Sequence, residues 1–258
     1  MAMERKIPLS SNHLDTPAIS NERELRALDP SVCRAYLEGE TFVRYTNPDK
    51  SAGGWLSEKA EAGRNLYLGP GAIVFGTKIG DNVAIGSGAT VRNSNIQYGT
   101  IVGAGTSVRN SMVFGDCEIG DGVDIESSFI GAEACVGDRA RIGRSDVRKG
   151  ARIGCGVSLR KAALLGDNRI GEGSSITNSM VFARMEVGER SFVENSRIEL
   201  TKAGKLPAGS RIENDIVHSD LDVVGIGSNL IDPPEDLLPV RSYPIEEMVD
   251  RALGIKRK

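Results

Sequence analysis

Two histidines and four cysteines bound the chemistry open to this chain of 258 residues. A zinc site of the three-imidazole kind cannot be assembled from His13 and His218 alone, so no metal site is expected. Cys33, Cys117, Cys135 and Cys155 show no Cys-x-x-Cys spacing and no signal-like apolar segment precedes them, so they read as reduced thiols in a cytoplasm. Of the two histidines, His218 follows Val217 near the end of the chain's aliphatic pattern and is expected to point outward, whereas His13 lies in the N-terminal stretch. Asp220 is the carboxylate next to His218 in sequence. The glycine pair in "AGGW", residues 52–55, is no phosphate loop, since neither a Lys-Ser/Thr pair nor a helix start follows it. A basic run of Arg139, Arg141, Arg144, Arg148, Lys149, Arg152, Arg160 and Lys161 could receive an anion or an acidic partner. Interspersed Asp121, Asp124, Asp138 and Asp146 support the plainer reading of a solvated, charge-balanced surface.

Bulk composition narrows the partners further. Thirty-two Lys and Arg against 35 Asp and Glu give a formal charge of −3, which offers nucleic acid no phosphate-neutralising surface. No apolar run approaches the roughly 18 residues a membrane helix needs. The unusual count is 31 glycines beside 5% aromatic residues, which implies many tight turns and few bulky side chains.

The elements that must position these residues come from a repeat. Gly86 recurs as Gly103, Gly120, Gly137, Gly154, Gly171 and Gly188, always 17 residues on. Three aliphatic columns keep the same stride, beginning at Leu68, Val74 and Ile79 and ending at Val187, Val193 and Ile198. Within one repeat their spacing is six, five and six residues, which fits neither the 3.6-residue helical period nor a long alternating strand. It predicts a coil of three short strands. A single coil cannot bury its three aliphatic residues, so the stack is the cooperative unit.

The remaining columns are assigned to corners. Ala72, Ala89, Thr106, Val123, Ala140 and Val157 are small enough for one of them, and Thr100, Cys117 and Ala134 for another. Pairs such as Asn93-Ser94, Asn110-Ser111, Ser127-Ser128, Asn178-Ser179 and Asn195-Ser196 suit the tight five-residue corner, where Asn tolerates a left-handed backbone and stacked amides can form a ladder. The Gly86 column is expected to be another place where φ is positive.

Hexads such as "IGDNVA", "IGSGAT", "VGAGTS", "IGDGVD" and "IGCGVS" resemble the hexapeptide repeat of left-handed parallel β-helices, over about residues 66–227. That superfamily includes acyltransferases, γ-class carbonic anhydrases and the C-terminal domains of sugar-nucleotide pyrophosphorylases. The preceding "SAGGWLSEKAEAGRNLYLGPGA", residues 51–72, looks like the entry into the β-helix of the poorly characterised bacterial YdcK-like proteins. The resemblance implies an all-β fold, a single-stranded left-handed parallel β-helix of about nine 17-residue coils. A carbonic anhydrase is disfavoured by the histidine count. A self-contained pyrophosphorylase is disfavoured because about 50 residues ahead of the coils cannot form a nucleotide-binding domain.

Beyond the coils, Asn21 with Glu24 and Asp29-Pro30 predict short capping helices at 22–28 and 30–38, and "SYPIEEMVDRALGIKRK" predicts a C-terminal helix with one apolar face. The expected organisation is a flexible N-terminus at 1–20, a helical cap at 21–65, the β-helix at 66–227, and a linker with the last helix at 228–258.

Beside the third column stand Met112, Phe114, Phe129, Leu165, Met180, Phe182 and Ile216, on a wall that should be polar. Such a stripe needs a cover: the C-terminal helix, or other copies of the chain around a three-fold axis. The superfamily's frequent trimers favour the second. Two functions follow as expectations. One is a non-catalytic, self-associating scaffold or binding module that requires no cofactor. The other, implied by the resemblance, is an acyltransferase taking acetyl-CoA or another thioester, with His218 as base near the insertion at 199–210.

Overall fold

The structure, a computed structural model, describes residues 41–182, 184–199 and 204–218; of His218 only the backbone is described. The helices expected at 22–28, 30–38 and the C-terminus lie outside the described residues, as do His13, Cys33 and Asp220. Among the described residues every regular element is a strand, and no helix is long and apolar enough to cross a membrane.

Short strands of two or three residues stack in register into three parallel sheets, one per face of a triangular prism. We call them face A (the Val74 column), face B (the Ile79 column) and face C (the Leu68 column). Pairing always joins residues one repeat apart, as in Val91↔Val108↔Ile125 on face A and Ile85↔Val102↔Ile119 on face C. The three columns meet along the axis: Ile85, Val91 and Ile96 are each fully buried, and so are Ile125, Ile130 and Leu164 further down. Each contributes roughly 1.5–3 kcal/mol on burial. Because the coils are identical in shape, that contribution recurs about nine times, and it positions every outward side chain as a consequence.

The five-residue corner between faces A and B is uniform. Asn93, Asn110, Asn178, Asn195 and Asn214 have φ between 47° and 51°, and Ser127, Arg144 and Lys161 take the same conformation. The amide ladder forms at the far end of this column, where Asn178 Nδ2 donates to Asn195 Oδ1 at 2.9 Å and Asn195 Nδ2 to Asn214 Oδ1 at 3.1 Å. Beneath it runs a ladder that the Asn-Ser reading did not foresee. The buried Ser111 hydroxyl donates to Arg109 O at 2.7 Å and accepts from Ser128 N at 3.1 Å. Ser128 repeats this toward Glu126 O and Ser145 N, and Ser145 toward Gly143 O and Ala162 N. Each hydroxyl thus satisfies an amide that the tight corner would leave orphaned and adds a second bond to a carbonyl that already accepts from the next coil's backbone.

The Gly86 column corrects the expectation of positive φ. None of its members lies in the left-handed region; that conformation belongs to the position two residues on, at Gly88, Gly105, Gly122, Arg139, Gly156, Gly173 and Arg190. The column is glycine because a Cβ at Gly103 would stand 2.4 Å from the backbone of Gly120 in the next coil. Close approach of coils, rather than backbone freedom, selects the residue here.

Stacking also starts upstream of residue 66. Strand β1 (Phe42–Thr46) pairs antiparallel with β2 (Ala52–Ser57), and β2 pairs in parallel with Ile73 and Val74 of the first full coil. This hairpin closes face A at the N-terminal end, with Phe42 edge-on to Phe75 at 5.8 Å between centroids. Face C opens with the strand Tyr67–Leu68, and there the Asn47 side chain takes the place of a missing strand. Its Nδ2 donates to Leu68 O at 3.1 Å while its Oδ1 accepts from Leu68 N at 2.9 Å. A side-chain amide mimics a peptide and blunts the exposed edge.

Candidate functional site

Face B carries the apolar stripe in two outward columns flanking the core column. Met112 and Phe129 are register neighbours, as are Leu165 and Phe182. Phe114 and Phe129 pack at 4.6 Å between centroids, and the guanidinium of Arg197 lies 4.8 Å from the Phe182 centroid. In the single chain this wall is half-buried already: Met112 is buried, and Phe114, Phe129, Leu165, Met180, Phe182 and Ile216 are intermediate. The most exposed large apolar residues lie elsewhere, at Tyr67 and Ile101 on face C and Tyr98 at the corner beside it.

Set into the apolar wall between Phe129 and Ala163 is Asp146, only 3% exposed. Its Oδ2 pairs with Arg148 at 2.8 Å, and its Oδ1 is buried without a hydrogen-bond partner. Burial raises the Asp146 pKa against the opposing pull of Arg148. Arg148 also lies 5.6 Å from the Phe129 centroid. Sequence reading treated Asp146 as a mere counter-charge; its place in an outward column facing aromatic neighbours emerges only from the register.

His218 is the last residue of the last strand of face B, in register with Glu199 one coil above. The Glu199 carboxylate accepts from the Arg197 guanidinium at 2.9 and 3.1 Å. The stack therefore supplies a carboxylate beside the histidine position from a residue 19 places away, which adjacency in sequence could not reveal.

Cys117, Cys135 and Cys155 are unbridged. Cys117 is a corner residue whose Sγ donates to Gly131 O at 3.1 Å, in the role of its column neighbour Thr100, which donates to Phe114 O. Burial pushes its thiol up to about 11, far from a nucleophile's range. Cys135 and Cys155 are half-buried along a shallow cleft of face C. Among the described residues no group of three His, Cys, Asp or Glu is placed to hold a metal ion.

The basic run is not one patch, because 17 residues carry the chain once around the prism. Arg141 and Arg160 point out from face A, Arg148 from face B and Arg152 from face C, while Arg139 and Arg144 occupy left-handed corner positions. The register assembles a different cluster. Lys149 and Arg152 share a concavity at the B–C corner with Arg169, Arg184 and Lys205, and with Glu133, Asp167 and Glu186.

Fold and surface together define a parallel β-solenoid with triangular coils, outward-facing chemistry and shallow clefts. A family model described as "GlmU-like, C-terminal hexapeptide" matches residues 72–153, in agreement with the hexapeptide repeat of the 17-residue coils. No curated protein matches. Solved structures similar to this chain include LpxA, a UDP-N-acetylglucosamine acyltransferase from Bacteroides fragilis, at 20% identity over 62% of this chain and 65% of that one, TM-score 0.37. The Francisella novicida UDP-N-acetylglucosamine acyltransferase is 15% identical over 58% and 63%, TM-score 0.31. The acetyltransferase domain of PglB from Neisseria gonorrhoeae, solved with acetyl coenzyme A, is 15% identical over 74% and 72%, TM-score 0.21. The chain thus spans just under two thirds of the first two. At such values these neighbours say nothing of what this chain does.

Proposed function

We propose that this protein is a self-associating scaffold that binds through its faces, with face B as the contact between copies in a trimer. The observation that carries the reading is the pair of outward columns holding Met112, Phe114, Phe129, Leu165, Phe182 and Ile216 on one wall of a prism whose other outward columns are largely polar. Aromatic and methionine side chains grouped around an Arg148–Asp146 pair have the composition of an interface centre. Three unbridged cysteines are consistent with a cytoplasmic setting.

Light scattering of the full chain is the direct test. A trimer that Phe129→Asp together with Phe182→Asp turns into a folded monomer supports the proposal. A wild-type monomer at tens of micromolar overturns it.

A second reading, acyl transfer from a thioester such as acetyl-CoA, is favoured by the register of Glu199 with His218. Under this reading acetyl-CoA binds, and His218→Ala abolishes transfer while leaving the assembly mass unchanged. Absence of acetyl-CoA binding by calorimetry removes it and leaves the scaffold.

A further inference from the structure

We infer that the concavity at the B–C corner is an anion site for a phosphate-bearing small molecule, held between Arg152 and Arg169. The inference does not depend on self-association through face B.

The charge accounting of the concavity is its basis. Five cations and three carboxylates line it, and each carboxylate has its own cation. Lys149 pairs with Glu133 at 2.8 Å, Arg184 with Asp167 at 3.6 Å and Lys205 with Glu186 at 2.7 Å. The directions of titration agree: Glu133 raises the Lys149 pKa, and Lys205, with a smaller pull from Arg169, lowers that of Glu186. Arg152 and Arg169 are left without a carboxylate bonded to them among the described residues.

These two are register partners on adjacent coils of face C, one strand spacing apart, about 4.8 Å. Like charges directly opposite each other destabilise a ladder. Glu186 is the register partner of Arg169 on its other side but is bonded to Lys205, so the repulsion between the two arginines is one that a bound anion would relieve. Both arginines are exposed and line the same concavity, and a guanidinium fork can grip a phosphoryl group with two N–H donors.

The surroundings suit a small ligand. Arg152 and Arg169 also border the neighbouring cleft of face C, which is lined by Cys135, Gly154, Gly171, Gly188, Glu186 and Glu189, so the remainder of a ligand has a shallow surface to lie on. The concavity also includes Gly204 and Lys205, within the 199–210 insertion. Of the sequence-nominated cations only Lys149 and Arg152 are retained; Arg169, Arg184 and Lys205 join them through stacking.

The test is calorimetry on the full chain at constant ionic strength, with pyrophosphate and ADP as probes. Wild type is expected to bind at least one of them with a submillimolar Kd. Arg152→Gln with Arg169→Gln should weaken binding at least tenfold, whereas Arg141→Gln with Arg160→Gln on face A should leave it unchanged. Equal affinity for the two probes identifies the phosphate group as the recognised part; tighter ADP identifies a nucleotide. Should the double variant lose its fold by circular dichroism, Arg169→Gln alone is expected to weaken binding severalfold. Wild type that binds neither probe overturns the site, and so does a folded arginine variant that binds as wild type does.

Discussion

The A–B corner and the B–C corner are built from the same repeat and solve different problems. At the A–B corner a hydroxyl recurs at Thr77, Ser94, Ser111, Ser128, Ser145, Ser179 and Ser196, with Ala162 the one exception among them, and each of these residues is buried. At the B–C corner the inward residue changes with nearly every coil, through Thr100, Cys117, Ala134, Ala151, Asn168 and Met185. The first corner has five residues between core positions and the second has six. Five residues turn through a left-handed residue and, in every one of these coils but that of Ala162, a buried hydroxyl that bonds backbone, so variation there is small. Six leave slack, and the slack is where the chain varies its chemistry, places its extra two residues and gathers unpaired cations. A uniform column marks a position dictated by the backbone; a varied one marks where surface function can be added.

The largest effect that would break this contrast is expected from the glycines. Gly103→Val should cost about 3 kcal/mol, since its Cβ meets the Gly120 backbone at 2.4 Å. Gly105→Asn, two residues away, should be nearly neutral, because its φ of 63° suits Asn and nothing lies within 4 Å. Urea melts of the two variants settle the point, and equal losses would contradict it.

Next in size is Ser128→Val. It strands the Ser145 amide at the tight corner and should lose about 1–3 kcal/mol in thermal unfolding. Ala134→Ser, at the slack corner, should change stability by less than about 1 kcal/mol. A reversed order would remove the distinction between the corners.

A smaller effect concerns Asp146. Its folded pKa is raised, so the folded state holds a proton more readily than the unfolded chain does. The resulting stability is fully present below the ordinary carboxylate range and is lost as pH rises through the higher folded value. Asp146→Asn should flatten that segment of the stability–pH curve. An unaltered slope in the variant would assign it to other groups.

The smallest and most local prediction is kinetic. In the native protein a thiol reagent at pH 7 should modify Cys135 and Cys155 well before Cys117, whose thiol is buried and titrates near 11. Early labelling of Cys117 would mean that the slack corner opens.

Much of the fold was legible because the 17-residue stride states it directly. The aliphatic columns at Leu68, Val74 and Ile79, the small corner residues and the left-handed Asn column all stand where their spacing puts them. Less of the candidate site was legible. The basic residues adjacent in sequence disperse around the prism, and Arg169, Arg184 and Lys205 reach Arg152 from later coils. The Gly86 column was assigned to the wrong cause because glycine serves both left-handed turns and close contacts, and composition does not distinguish them.

The sequence by itself determined the coil, its period and its core, since a side chain that must be buried once per strand leaves a periodic trace. Only the tertiary structure decided which outward residues meet. Lateral neighbours on a solenoid are one full turn apart, so the pairing of Arg152 with Arg169, of Glu199 with His218, and the burial of Asp146 between Phe129 and Ala163 depend on register. Register is set by stacking every coil at once, and no local stretch contains it.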